Sequence, residues 1–143
     1  MLRATRVIPR DDVTATTDYV VLDYDARHRR RFAMTSVGNV EFLLDLADAV
    51  VLREGDALAL EDGRAIEIRA MAERLVVVTG TDAQHLARLA WHLGNRHVPT
   101  EVRSDCLRIR DDHVMVEMIR GLGGEMQFVT EPFQPEHGAY HEH

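Results

Sequence analysis

Leu93-Gly94-Asn95-Arg96-His97-Val98-Pro99 closes a helical pattern and opens an extended one. Gly94 is the expected stop signal, because glycine takes a left-handed C-terminal position without a Cβ penalty. Pro99 pushes Val98 toward extended geometry. His97 is thereby placed on a short, stiff connection between two regular elements. Upstream, Leu86, Leu89, Ala90 and Leu93 recur at +3, +4 and +7, one apolar helical face. Asp82 stands where an N-cap belongs, and Arg74-Leu75-Val76-Val77-Val78-Thr79 before it reads as a buried strand.

Downstream, Pro99 to Arg103 and Cys106 to Ile109 read as strands around a Ser104-Asp105 turn. Asp112 is the expected cap of a second helix, with Val114, Met118 and Leu122 at +4 and +8 and glycines from Gly121 to end it. Gln127-Phe128-Val129-Thr130 is the last strand. The order βαββαβ predicts a ferredoxin-like domain. From Pro132 on, the Pro-, Glu-, His- and Gly-rich segment predicts a mobile tail.

Residues 1 to 72 predict a separate β-rich barrel or sandwich. The strands expected there are Thr5–Ile8, Tyr19–Leu22, Arg31–Met34, Val40–Leu44, Val50–Leu52, Ala57–Leu60 and Ala65–Arg69, with room for a helical turn within Leu43–Val51. Gly38-Asn39, Gly55-Asp56 and Asp62-Gly63 supply turn signals. The fold class is therefore α+β, with a β-rich domain over 1–72, a ferredoxin-like domain over 73–135 and a tail over 136–143.

The formal charge of -7 and a pI near 5.6 disfavour nucleic acid and anionic membrane as partners. The basic run Arg27-His28-Arg29-Arg30-Arg31 reads as a solvated strand or loop. No window offers the ~18 apolar residues of a membrane span, and arginines and aspartates interrupt the N-terminus where a signal core would lie. The single cysteine, Cys106, fits a reducing compartment and reads as a small buried residue. A cytoplasmic location follows as the expectation.

Chemistry concentrates in the histidines. His97 is either a helix-end imidazole bonded to a carbonyl or water, or a metal ligand. A lone imidazole makes no tight site, so the second reading needs further ligands. A two-fold axis would supply the partner's His97, and the terminal His141 and His143 could swing onto the same ion. His113, beside Asp111 and Asp112, is either a capping-region histidine or part of a peripheral metal site with Asp112 as oxygen donor. His85 and His92 lie two turns apart, ~10 Å, too far to share an ion, and read as a solvated face. Imidazole suits nickel, zinc and copper. Signatures of phosphate loops, zinc hydrolases, serine hydrolases and dithiol redox centres are missing. The expectation is a metal-handling protein, not an enzyme.

Four stretches resemble the UreE family of urease accessory proteins, nickel metallochaperones. They are Trp91–Pro99, Leu107–Val114, Met118–Gly123 and Pro132–Tyr140. The resemblance implies a peptide-binding N-terminal domain and a C-terminal domain that binds metal and dimerises. It implies a homodimer holding Ni(II) between paired His97 residues, with ligands from His141, His143 and, in some members, His113. Zn(II) or Cu(II) are expected to bind as well. The implied partners are the urease apoprotein complex and its accessory GTPase. The competing reading is a metal buffer, or a peptide-binding chaperone module whose metal is incidental.

Overall fold

The computed structural model describes residues 1–136. The chain divides into two compact units between Met71 and Ala72.

The first unit is one six-stranded sheet. Its strands are β1 (Leu2–Ile8), β2 (Asp18–Leu22), β3 (Arg31–Thr35), β4 (Glu41–Asp45), β5 (Ala57–Leu60) and β6 (Ala65–Ala70). They lie in the order β2-β6-β5-β1-β4-β3, with β1–β4 and β2–β6 parallel and the other pairs antiparallel. The sheet curls into a half-barrel, because the edge strand β2 meets the loop leaving the opposite edge strand β3. There Val37 N–H donates to the Tyr19 carbonyl at 3.0 Å, and Asp18 accepts from Gly38 N–H at 3.0 Å and from the Ser36 hydroxyl at 2.5 Å. Alternation along the strands sends Val20, Leu22, Met34, Phe42, Leu44, Leu58, Ile66 and Ile68 into one core. The Asp62-Gly63 hairpin forms, with Gly63 at φ 92° between β5 and β6.

Three expectations for this unit fail. Val50–Leu52 is irregular and Leu43–Val51 holds no helical turn; Leu52 reaches the core from a loop. The basic run is not simply solvated. Arg27 is fully buried, Arg29 stacks over Phe32, and Arg30 donates to the Leu46 carbonyl at 2.9 Å.

The second unit contains β7 (Ala72–Thr79), α1 (Ala83–Asn95), β8 (Glu101–Val102), β9 (Leu107–Arg110), α2 (His113–Gly121) and β10 (Glu125–Pro132). The antiparallel order β10-β7-β9-β8 is the ferredoxin-like arrangement that the βαββαβ pattern predicts. Val76, Val78, Leu107 and Ile109 pack against Leu89 and Leu93 of α1 and Met115, Val116 and Ile119 of α2. The buried stripe of α2 differs from the predicted one. Val114 is 59 % exposed, and the stripe starts one residue later, at Met115. Both capping aspartates do as predicted: Asp82 accepts from His85 N–H at 2.8 Å, and Asp112 from Val114 and Met115 N–H at 2.9 and 3.2 Å.

The segment after Pro132 is docked as far as it is described. Phe133 is fully buried, Gln134 N–H donates to a Glu101 carboxylate oxygen at 3.0 Å, and Glu136 N–H to the Thr100 carbonyl at 2.8 Å. The tail composition concealed one aromatic anchor, and that anchor decides the path of the chain.

Candidate metal site

The end of α1 is built differently from its sequence signal. Gly94 lies inside the helix, and His97 takes the left-handed conformation at φ 59°. His97 N–H donates to the Gly94 carbonyl at 3.0 Å and Val98 N–H to the Leu93 carbonyl at 3.1 Å. Those two bonds are a Schellman motif with His97 in the place usually held by glycine. Val98 packs into the core beside Leu93, the hydrophobic contact that accompanies the motif. Pro99 then keeps the chain extended toward β8.

A residue with a Cβ pays about 1–2 kcal/mol in this conformation. Histidine is among the side chains that tolerate it better than most. The geometry leaves the backbone of His97 fixed on both sides while its side chain is exposed. Carbonyls of the last turn of α1 face the same region, and the negative end of a helix favours a cation by about 0.3–1 kcal/mol.

His113 is also exposed and lies at the first position of α2. In this antiparallel sheet α1 ends, β9 finishes and α2 begins at one end, so His97 and His113 lie toward the same end. The surroundings of His113 suit a cation less well. The positive end of a helix lies there. Of the neighbouring carboxylates, Asp112 is spent on the helix cap, and Asp111 pairs with Arg74 at 2.8 Å. Among the described residues, no three histidine, cysteine or acidic side chains gather at ligand spacing. His141 and His143 lie outside the described residues.

His85 does not belong to a solvated face. Thr81 N–H donates to its Nδ1 at 3.0 Å, and its Nε2 lies 2.9 Å from the Leu122 carbonyl. A carbonyl only accepts, so Nε2 must carry the proton and Nδ1 the lone pair. The ring joins the start of α1 to the end of α2 and has no free nitrogen for a metal. His92 is half-buried and meets Trp91 edge-on at 5.1 Å, while Trp91 itself is 63 % exposed. Cys106 is half-buried; burial raises the pKa of its thiol, aided by Asp105, which disfavours the thiolate that a metal would need.

Sequence reasoning missed an ion-pair cluster on the sheet. Arg108, 3 % exposed, donates to Glu131 at 2.8 Å and approaches Glu101 at 3.5 Å; Arg103 also donates to Glu101, at 2.6 Å. Alternation in Leu107-Arg108-Ile109-Arg110 could have revealed that Arg108 faces away from the helices. Nothing in the sequence said what covers it there.

The first unit offers an open depression of about 410 Å³ lined by Arg10, Glu54, Glu67 and Arg69. Arg69 donates to Glu67 and stacks on Tyr19. No helix among the described residues is long and apolar enough to cross a membrane.

A curled β unit followed by a ferredoxin-like unit, with one exposed histidine locked at a helix end, defines an α+β protein of two parts. Comparison with known proteins gives the family. Residues 4–71 match the profile of the UreE urease accessory protein N-terminal domain, and residues 73–143 that of the C-terminal domain. The chain is 54 % identical to the urease accessory protein UreE of Bradyrhizobium sp. strain BTAi1, over 99 % of its own length and 69 % of that relative. It is 50 % identical to that of Chelativorans sp. strain BNC1, over 100 % and 89 %, and 49 % identical to that of Rhodobacter capsulatus, over 98 % and 87 %. The chain belongs to the UreE family of urease accessory proteins. Its role lies in the maturation of urease, as an accessory factor and not as urease itself.

Proposed function

We propose that the protein is a cytoplasmic nickel metallochaperone that carries Ni(II) as a homodimer and delivers it for assembly of the urease active site. The observation that carries this reading is His97: an exposed imidazole fixed by a Schellman motif, at a conformational cost that glycine would avoid. Strain kept at an exposed side chain motivates a functional reading. A two-fold axis beside His97 brings two such imidazoles to one ion. Trp91, exposed on the same helix, is available for contact with the second copy.

The tail supplies the remaining ligands. Glu136 is bonded to Thr100, three residues beyond His97. From Glu136 to His141 an extended chain reaches ~17 Å at about 3.3–3.6 Å per residue. His141 and His143, which lie outside the described residues, are assigned as further ligands, and His113 as a weaker, peripheral one. Zn(II) and Cu(II) compete at imidazoles. Residues 1–72 take a peptide-docking role, and 73–135 bind metal and dimerise. The partners are the urease apoprotein complex and its accessory GTPase.

Nickel transfer tests delivery against simple buffering. Protein loaded with radioactive nickel is mixed with apo-urease complex and the accessory GTPase, against a small-molecule chelator of equal affinity. Transfer to urease that is faster than from the chelator supports delivery. Equal rates leave only a buffer.

A further inference from the structure

β3 is an edge of the six-stranded sheet, and half of its backbone is unused. Leu46 N–H donates to the Arg30 carbonyl and Ser36 N–H to the Val40 carbonyl, in register with the β3–β4 pairing. The even-numbered residues of the strand therefore bond to β4, and Arg31, Ala33 and Thr35 turn their N–H and C=O groups outward. Among the described residues, no hydrogen bond reaches those backbone groups. The opposite edge strand, β2, meets this side only beyond the end of β3, where Val37 N–H donates to the Tyr19 carbonyl. An unpaired edge of five residues is a template for another strand.

The side chains beside this edge choose the guest. Arg31, Ala33 and Thr35 are exposed on the outer face, while Met34 is buried and Phe32 half-buried on the inner one. Arginines gather at the start of the strand. Arg3 and Arg31 share a single carboxylate, Asp45, at 3.3 and 3.5 Å. Arg29 lies over the Phe32 ring, and Arg30 donates to the Leu46 carbonyl. This is a local positive excess in a chain of net charge -7. At the other end of the strand Glu41 stands opposite Thr35. Opposite charges on paired strands attract and like charges repel. An added strand is therefore favoured when its carboxylates lie at the Arg31 end and disfavoured when cations lie there.

We propose that the β3 edge takes up a strand from a partner protein: an extended segment that alternates apolar and acidic side chains, with the acidic ones at the Arg31 end. Main-chain hydrogen bonds to Arg31, Ala33 and Thr35 hold the segment, and Arg29 and Arg31 select it. This gives a site and a ligand class to the peptide-docking role of residues 1–72, on which it rests.

The probes are two short capped peptides, tested on the full chain by fluorescence anisotropy and amide hydrogen exchange. In one, valine alternates with two glutamates and then with threonine; in the other, lysine replaces glutamate. Each exposed opposite-charge pair is worth about 1.4- to 5-fold in affinity, and a like-charge pair costs a similar factor. The acidic peptide is expected to bind about 10-fold tighter than the basic one. It slows exchange at the Arg31, Ala33 and Thr35 amides and leaves Phe32 and Met34, already bonded to β4, unchanged.

Two variants locate the binding. Ala33→Pro removes an outward N–H that the β4 ladder does not use, and edge positions of this kind tolerate proline. The variant is expected to fold and to lose the acidic peptide. Arg29→Glu/Arg31→Glu leaves the backbone alone and is expected to reverse the preference between the peptides; it decides the matter if Ala33→Pro does not fold. Equal affinity for the two peptides overturns the ligand class. Acidic-peptide binding that neither variant changes overturns the edge assignment and leaves the docking role standing elsewhere on the unit. If neither peptide binds the wild type, the docking role fails and the proposal with it. Self-association of the protein that Ala33→Pro abolishes would give the edge to a second copy and overturn the proposal.

Discussion

Replacing His97 with glycine is expected to stabilise the fold and to remove the proposed nickel site together. At φ 59° the Cβ of His97 opposes the backbone, and releasing it returns about 1–2 kcal/mol. Glycine gives back about 0.5–1 kcal/mol through the freedom it gains in the unfolded chain. The net is about 0.5–1 kcal/mol in favour of His97→Gly. For a unit of this size each kcal/mol moves the melting temperature by about 4–8 °C, so the rise is roughly 2–8 °C. His97→Ala keeps the Cβ and is expected within about 0.5 kcal/mol of wild type, as for an exposed site. The assay is thermal and urea unfolding of the metal-free proteins, followed by nickel titration of each. Destabilisation by His97→Gly would refute the strain argument. Nickel affinity retained in both variants would refute the reason offered for the strain.

Other expectations concern parts away from that turn. Deleting His141 to His143 is expected to leave circular dichroism and dimer mass unchanged while weakening nickel binding without abolishing it; unchanged affinity and stoichiometry would remove the tail as a ligand source. His85→Ala leaves the Thr81 N–H and Leu122 carbonyl without their ring partner. The expected loss is about 1–2 kcal/mol of stability in urea, with nickel affinity untouched; altered affinity would contradict a purely structural ring. Acid acts on the first unit through Asp18. Hydrogen bonds from Ser36, and then from the Tyr19 and Gly38 amides, hold its carboxyl below the ordinary value. A depressed folded-state value means the contribution is complete above the unfolded value, near ~3.9, and is lost as pH falls through the lower folded one. Asp18→Ala is therefore expected to lower the unit's stability at neutral pH and to narrow the gap to wild type below pH ~3.5. A pH-independent gap would show that the carboxylate charge is irrelevant to the closure.

How legible these parts were depended on the range of the forces involved. Local signals were readable: Asp82 and Asp112 cap their helices, and Asp62-Gly63 turns its hairpin. The ferredoxin-like order followed from the alternation of strand and helix patterns. Long-range pairing was not readable. The parallel partners β1–β4 and β2–β6 carry no local mark, and neither does the burial of Arg27. At the end of α1 the two punctuation residues competed. Gly94 has the propensity to stop a helix, yet the burial of Leu93 and Val98 on one core fixed the motif three residues later, with His97 at its left-handed position. The same reason hid the docked path of Phe133–Glu136. Composition after Pro132 is polar, and one buried ring outweighs it. His85 looked solvent-facing by helical periodicity because its partner, Leu122, caps the end of the other helix, far away in sequence.

The central claim is one nickel ion shared by two His97 side chains. Calorimetric nickel titration with parallel sedimentation measurements, on the wild type and His97→Ala, tests it most directly. The account predicts one tight nickel per two chains in the wild type and loss of that site in a variant that remains folded and dimeric. A tight site at one nickel per chain, or one that persists in His97→Ala, would contradict it and place the metal at His113 or on the tail alone.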